Sequence, residues 1–255
     1  MRLRAGAAAP SALAGTPADA PLETIPEVVR GYAGALRVPD AALRAALAAS
    51  SGSSDDRANL KAHGADGFRA VVAMLRGGVD PADYGRLFAT VWTPSMAGEE
   101  QALIDVAESA DRVRASKALM ALGFCDTTRT REYLVWKLRG DGDGRFVHAC
   151  SGALGRLREP SALPELARAI RNGRAPAAER ATALLAIADI GGAEAKSILV
   201  DYVREPGTDG VAAGFAALQR VDREAAREEA LAILAGQRLL STGEREALLG
   251  YAGKR

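Results

Sequence analysis

The chain is poor in the residues that most often announce chemistry. Of its 255 residues, two are cysteine and two are histidine. Cys125 and Cys150 are too few for a disulfide framework. His63 and His148 stand far apart with no metal-ligand spacing, and no HExxH, CxxC, GxSxG, Walker or GxGxxG pattern occurs. Zinc hydrolysis, nucleophile-elbow catalysis and phosphate cradling therefore have no footing, no catalytic residue is assigned, and no metal or cofactor is expected. Aromatic residues make up only 5% and the net charge is +1, so no global field points to nucleic acid or an anionic membrane. No apolar run is long enough to span a bilayer. No segment alternates with the two-residue period of a strand around an Asn-Gly or Asp-Gly turn.

What the chain has is alanine, leucine and helical periodicity. Apolar residues make up 48%. The stretch 145–171 reads RFVHACSGALGRLREPSALPELARAIR. It predicts two short amphipathic helices joined by a turn at Arg158-Glu159-Pro160-Ser161. One carries Ala153, Leu154 and Leu157, the other Leu163, Leu166 and Ile170. Neither can bury its apolar stripe alone. The same unit recurs: Ala118-Leu119…Leu122, Ala153-Leu154…Leu157, Ala186-Ile187…Ile190 and Ala217-Leu218…Val221, at steps of 35, 33 and 31 residues. The second helix of each unit keeps its phase: Leu154 to Ile170, Ile187 to Val203 and Leu218 to Leu234 are all 16 residues. The first unit needs 19, from Leu119 to Leu138, across a longer turn. Periods of this size predict stacked helical hairpins.

The run ALGRLREPSALPELARAI resembles the short HEAT-like repeats of bilin-lyase-type helical repeat proteins, over about 111–237. The Trp-Leu-Gly-Tyr pattern of tetratricopeptide repeats and the Thr-Pro-Leu-His of ankyrin are absent. The resemblance implies an all-α fold, a right-handed α-α superhelix whose second helices line a concave face. It implies no particular activity, because that family is defined by packing.

Residues 1–24 form an Ala/Pro-rich leader with Arg2 and Arg4 near its start. Ala12-Leu13-Ala14 resembles a cleavage site, but the apolar region is weak and interrupted by Pro10. Cytoplasmic residence is the first expectation and export the alternative. Residues 25–110 predict an N-terminal helical region of degenerate pairs or a cap. It contains a hairpin over Ile25–Leu36 and Pro39–Ala49, and a loop at Ser50–Asp56. A helix over Asp56–Arg76 is expected to break at Gly64 or Gly67, with Ala70, Val71, Met74 and Leu75 on its apolar side. Further helices run from Asp80-Pro81 to Trp92, stopped by Thr93-Pro94-Ser95, and from Ala97 to Glu108. Four repeats follow at 111–140, 141–173, 174–206 and 207–236, and residues 238–255 supply a capping helix to about Leu249, started by a Ser241-x-x-Glu244 box.

Within the repeats, Cys150 falls near the start of one first helix and Cys125 just past the end of another. The offset is about 15 Å along the axis at ~1.5 Å per residue, beyond the ~7 Å a disulfide spans, so two free thiols are expected. His148 and Cys150, two apart on a helix, face different ways. Asp141-Gly142-Asp143-Gly144 is similar to the start of a calcium loop, but the twelfth position is Gly152 rather than an acid, so an inter-repeat turn is expected. The tripeptide Arg139-Gly140-Asp141 is the kind that occurs by chance.

The repeat register aligns Arg139, Arg171 and Arg204, each one residue after the last core position of a second helix. Residues 129–180 hold 11 Lys/Arg against 6 Asp/Glu. Cations at helix C-termini answer the macrodipole at ~0.3–1 kcal/mol each. A ladder of guanidinium groups also suits carboxylates or phosphates. Trp136 aligns with Arg168 and Asp201, and Tyr133 with Glu165 and Ile198. Trp136 is either an exposed anchor on the groove or, with Trp92, packing for an irregular junction. The expectation is a non-catalytic scaffold binding a protein or peptide, with an acidic one suiting the arginines, through Tyr133, Trp136, Arg139, Glu165, Arg168, Arg171, Asp201 and Arg204. The alternative is an enzyme or enzyme subunit, since the resemblance extends to bilin lyase subunits and alkyl-base DNA glycosylases, or nucleic-acid binding through the basic stretch.

Overall fold

The computed structural model describes residues 25–50, 53–79, 84–141, 144–171, 175–205, 210–236 and 240–253. The leader, the Asp80-Pro81 helix start and the middle of the Asp141–Gly144 turn lie outside them. Every regular element among the described residues is helical, and no strand occurs. The chain divides into two compact units, Met1–Thr130 and Arg131–Arg255.

The first unit contains α1 (Glu27–Ala35), α2 (Asp40–Ala49), α3 (Ser54–Ala62), α4 (Gly64–Gly77), α5 (Tyr84–Val91), α6 (Gln101–Ala107) and α7 (Arg112–Leu122), with a 3-10 turn at Pro94–Met96. Its centre is α4, which meets α1, α2, α5, α6 and α7. The apolar face is wider than the stripe read from sequence. Phe68, Val72 and Ala73 are fully buried along with Ala70, Val71, Met74 and Leu75, as a helix surrounded by others requires. The expected break falls at His63, where Gly64 takes φ +53° and turns α3 into α4. The hairpin expected of the first two helices is looser than the sequence implied, since α1 lies on α4 and α2 lies on both α3 and α4. Phe68 takes Phe88 at 5.6 Å and Trp92 at 5.5 Å between ring centroids. Asp111 caps α7 by accepting from the Arg114 amide at 3.0 Å.

The unit boundary falls in the first turn of α8 (Thr128–Gly140). The second unit continues with α9 (Val147–Leu157), α10 (Leu163–Arg171), α11 (Ala177–Ile190), α12 (Gly192–Arg204), α13 (Val211–Val221), α14 (Arg223–Ala235) and α15 (Thr242–Tyr251). Contacts run in chain order. Helix α11 lies against α9 and α13, and α13 against α15, while α12 meets both α10 and α14. Each even-numbered helix from α10 onward also meets the next odd one. Leu154, Ile187 and Leu218, at equivalent positions on α9, α11 and α13, are each 0% exposed. Burying each stabilises by roughly 1.5–3 kcal/mol. Ile170 and Val203 are buried in the same way on α10 and α12, whereas Leu234 is half-buried.

Small residues set the spacing. A Cβ on Gly155 would stand 2.8 Å from the Ala186 Cα, so α9 and α11 approach nearly backbone to backbone. The final helix starts at the anticipated capping box, Ser241 with Glu244, and runs two residues past the expected end to Tyr251. Tyr251 stacks on fully buried Phe215 at 5.3 Å and donates to the Ala212 carbonyl at 3.3 Å.

Candidate functional site

The sequence of α8 divides the helix cleanly. Leu134, Val135 and Leu138 are buried, and the 3.6-residue repeat carries Arg129, Glu132, Trp136 and Arg139 round to the exposed side. Trp136 is 60% exposed. Its ring lies 5.8 Å from that of half-buried Tyr133. The Lys137 ammonium lies 6.0 Å from the Trp136 ring and 5.3 Å from the Phe146 ring. Trp92 packs on Phe68 in the first unit, and the exposure of Trp136 makes it a surface residue.

Glu165, one turn into α10, gathers the neighbouring arginines. It accepts from Arg139 Nε at 2.6 Å and from Arg168 Nε at 3.1 Å, and its side chain is only 13% exposed. Burial pushes the Glu165 carboxyl up, but the two guanidinium hydrogen bonds and their charge outweigh it and hold the group below its ordinary range. Arg168 also donates through Nη2 to the Leu138 carbonyl at 3.0 Å and the Arg139 carbonyl at 2.9 Å. It thereby closes the open C-terminal carbonyls of α8 and meets the negative end of the helix dipole. One acid and one backbone terminus thus position Arg168 of α10 and Arg139, which stands one turn beyond Trp136 on α8.

Arg171 and Arg204 take the same register positions on α10 and α12. Arg204 is bidentate to Glu229 of α14, with Nε to Oε2 at 2.7 Å, and the Glu229 side chain is 12% exposed. Its guanidinium is held cationic chiefly by the Glu229 hydrogen bond, with a smaller contribution from the charge of exposed Asp201. Arg171 reaches Glu205, just past α12, at 3.5 Å. The arginine column is therefore a set of inter-layer ion pairs, each arginine holding an acid from the next layer. The guanidinium side chains remain open to solvent, at 67% for Arg139, 47% for Arg168, 45% for Arg171 and 61% for Arg204.

A second set of rungs, missed from sequence, runs beside the first. Arg131 pairs with Glu159 at 2.7 Å, and Lys196 with Asp222 at 2.6 Å. Both acids are also helix-start caps, Glu159 accepting from the Ser161 amide and Asp222 from the Ala225 amide. A register signal existed. Arg131 and Lys196 each precede the last core residue of their helix by seven positions, and Glu165 and Glu229 precede theirs by five.

The remaining candidates are occupied structurally. The Asp141 carboxylate accepts from the Arg145 amide at 2.8 Å and the Phe146 amide at 2.5 Å, tying the turn to the start of α9. His148 Nδ1 lies 3.0 Å from the Thr182 hydroxyl. Cys125 and Cys150 are free and fully buried, and burial, first of all, pushes both thiols well above their ordinary range. In the first unit, Asp40, Arg44, Asn59 and His63 line an open hollow between α2 and α3. Among the described residues no group of three or more His, Cys, Asp or Glu is arranged to hold a metal ion. None of the described helices is long and apolar enough to cross a membrane. The arrangement on α8, α10 and α12 offers an aromatic plane, guanidinium donors and a little apolar surface, which is the chemistry of docking. No family model matches the chain, and neither a curated protein nor a solved structure does.

Proposed function

We propose that the second unit belongs to a HEAT-like α-solenoid and works as a non-catalytic scaffold that holds a protein or peptide along its second helices. The contact order of α9 to α15, in which each hairpin meets its neighbours in the chain, supports the solenoid reading. The observation that carries the binding reading is Trp136, an aromatic left 60% exposed one turn before Arg139, which Glu165 already positions. A large ring on a pre-ordered polar surface costs little side-chain entropy on docking and gives much contact area. The binding residues are Tyr133, Trp136, Arg139, Glu165, Arg168, Arg171, Asp201 and Arg204. Pairing of each column arginine with an acid favours a protein surface, which has mixed charge, over a polyanion that would compete with those acids.

The test is co-purification from the source cells with wild-type chain and with the Trp136→Ala, Arg168→Ala double variant, both checked for helicity. Partners specific to the wild type are expected to disappear from the double variant. An unchanged partner set rejects the assignment.

A further inference from the structure

The rungs on the second helices are regular except in one place. From α8 to α10 the acid is Glu165, and from α12 to α14 it is Glu229, with side chains 13% and 12% exposed. From α10 to α12 the equivalent position, five before the last core residue, is Ile198. The position of Arg131 and Lys196, seven before that residue, is Leu163 on α10, so the second rung is missing at the same junction. Arg171 turns instead to Glu205, at 3.5 Å and with the acid 52% exposed. A pair this long and this wet is worth little and is easily exchanged. On the other side of the hairpins the same junction is the tight one, with Gly155 of α9 against Ala186 of α11.

We infer that the junction between α10 and α12 is a receptor for one carboxylate of a partner segment, which takes the place on Arg171 that Glu165 and Glu229 take on Arg139 and Arg204, with an aliphatic side chain beside it on half-buried Ile198. The inference rests on the scaffold reading and names its ligand chemistry: an acidic, aliphatic peptide. Arg168, three residues before Arg171 and 47% exposed, lies on the same face of α10. Exposed Asp201 lies one turn beyond Ile198 on α12, and its charge acts on Arg204. The site thus selects by the sign of the charge and by an adjacent apolar contact.

The probe is a rhodamine-labelled peptide of alternating glutamate and leucine, followed by fluorescence anisotropy on the full chain, against its glutamine–leucine counterpart. The glutamine peptide is expected to bind about ten-fold or more weakly, the usual loss for a charge-assisted hydrogen bond. Ile198→Glu supplies the missing acid from within the chain, so it is expected to weaken the glutamate peptide by a similar factor while leaving the thermal midpoint within a few degrees. Arg171→Ala is expected to weaken the same peptide without changing a buried residue. If Trp136→Ala abolishes binding while Ile198→Glu and Arg171→Ala bind like wild type, the junction is not the receptor although the scaffold face stands. If all three variants bind like wild type, or the wild type binds neither peptide, the inference and the assignment of this face fall together. Binding of a random DNA oligonucleotide that is sensitive to Ile198→Glu, with no peptide binding, overturns it in favour of a phosphate ligand.

Discussion

Two glycines on one helix turn the packing of α9 against α11 into a measurement. Gly152 and Gly155 both lie inside α9, so alanine at either position gains about 0.5–1 kcal/mol from backbone entropy and helix propensity. Their surroundings differ. A Cβ at Gly152 meets nothing nearer than Thr182 Cγ2 at 4.0 Å, an ordinary contact. A Cβ at Gly155 falls 2.8 Å from Ala186 Cα and 3.0 Å from Ala186 Cβ, and those atoms move only if α11 moves. Forcing a methyl into such a contact costs about 1–3 kcal/mol. Gly152→Ala is therefore expected to stabilise by up to about 1 kcal/mol, and Gly155→Ala to destabilise by up to about 2.5 kcal/mol after the propensity gain is deducted. The two variants should differ by several degrees in thermal midpoint, at roughly 4 °C per kcal/mol for a unit of this size. Urea titration by circular dichroism at fixed protein concentration reads the same difference in midpoint. Equal stabilisation by both alanines would refute the close approach of α9 and α11.

Two further outcomes follow from burial and pairing. Because Glu165 is held below its ordinary value of 4.5, its pairing stabilises the fold above that pH and is lost as pH falls through the lowered value. Glu165→Gln is expected to cost about 1–2 kcal/mol at neutral pH, and the gap from wild type should close on acidification below pH about 4; a gap constant with pH would remove the charge from the explanation. Cys125 and Cys150 should resist a thiol-specific disulfide reagent in the native protein and react together on unfolding. Fast native labelling of either would contradict its burial.

The all-helical class and the hairpin register were legible because both depend on periodicity, which a single chain displays. Leu154, Ile187 and Leu218 could be matched by counting, and each of them is fully buried. The break at Gly64 and the box at Ser241 were legible for a local reason: a positive φ and a capping hydroxyl are decided by neighbours in sequence. The core of α4 was not. Phe68 and Val72 lie off the narrow stripe and are buried because other helices surround α4, which no window of its own sequence reveals. At the candidate site the arginine column was visible and its acids were not. Glu165 shares its register position with Tyr133 and belongs to the expected binding face, but its role as the partner of Arg139 is a contact between layers, and Glu229 lies outside that expected set. An ion pair between layers joins residues about 25 positions apart, as Arg204 and Glu229 are, and becomes readable only when the register is applied to both members.

The stacked rings of Tyr251 and Phe215 give the last helix a duty beyond its own stability. Phe215 is fully shielded, and α15 is the element that lies over α13 on that side. A break in the chain before Ser241 would leave an aromatic-centred apolar patch open to water, a ready surface for one molecule to stick to the next. Loss of α15 is therefore expected to favour self-association, and a preparation shortened by proteolysis before Ser241 should clump before it unfolds.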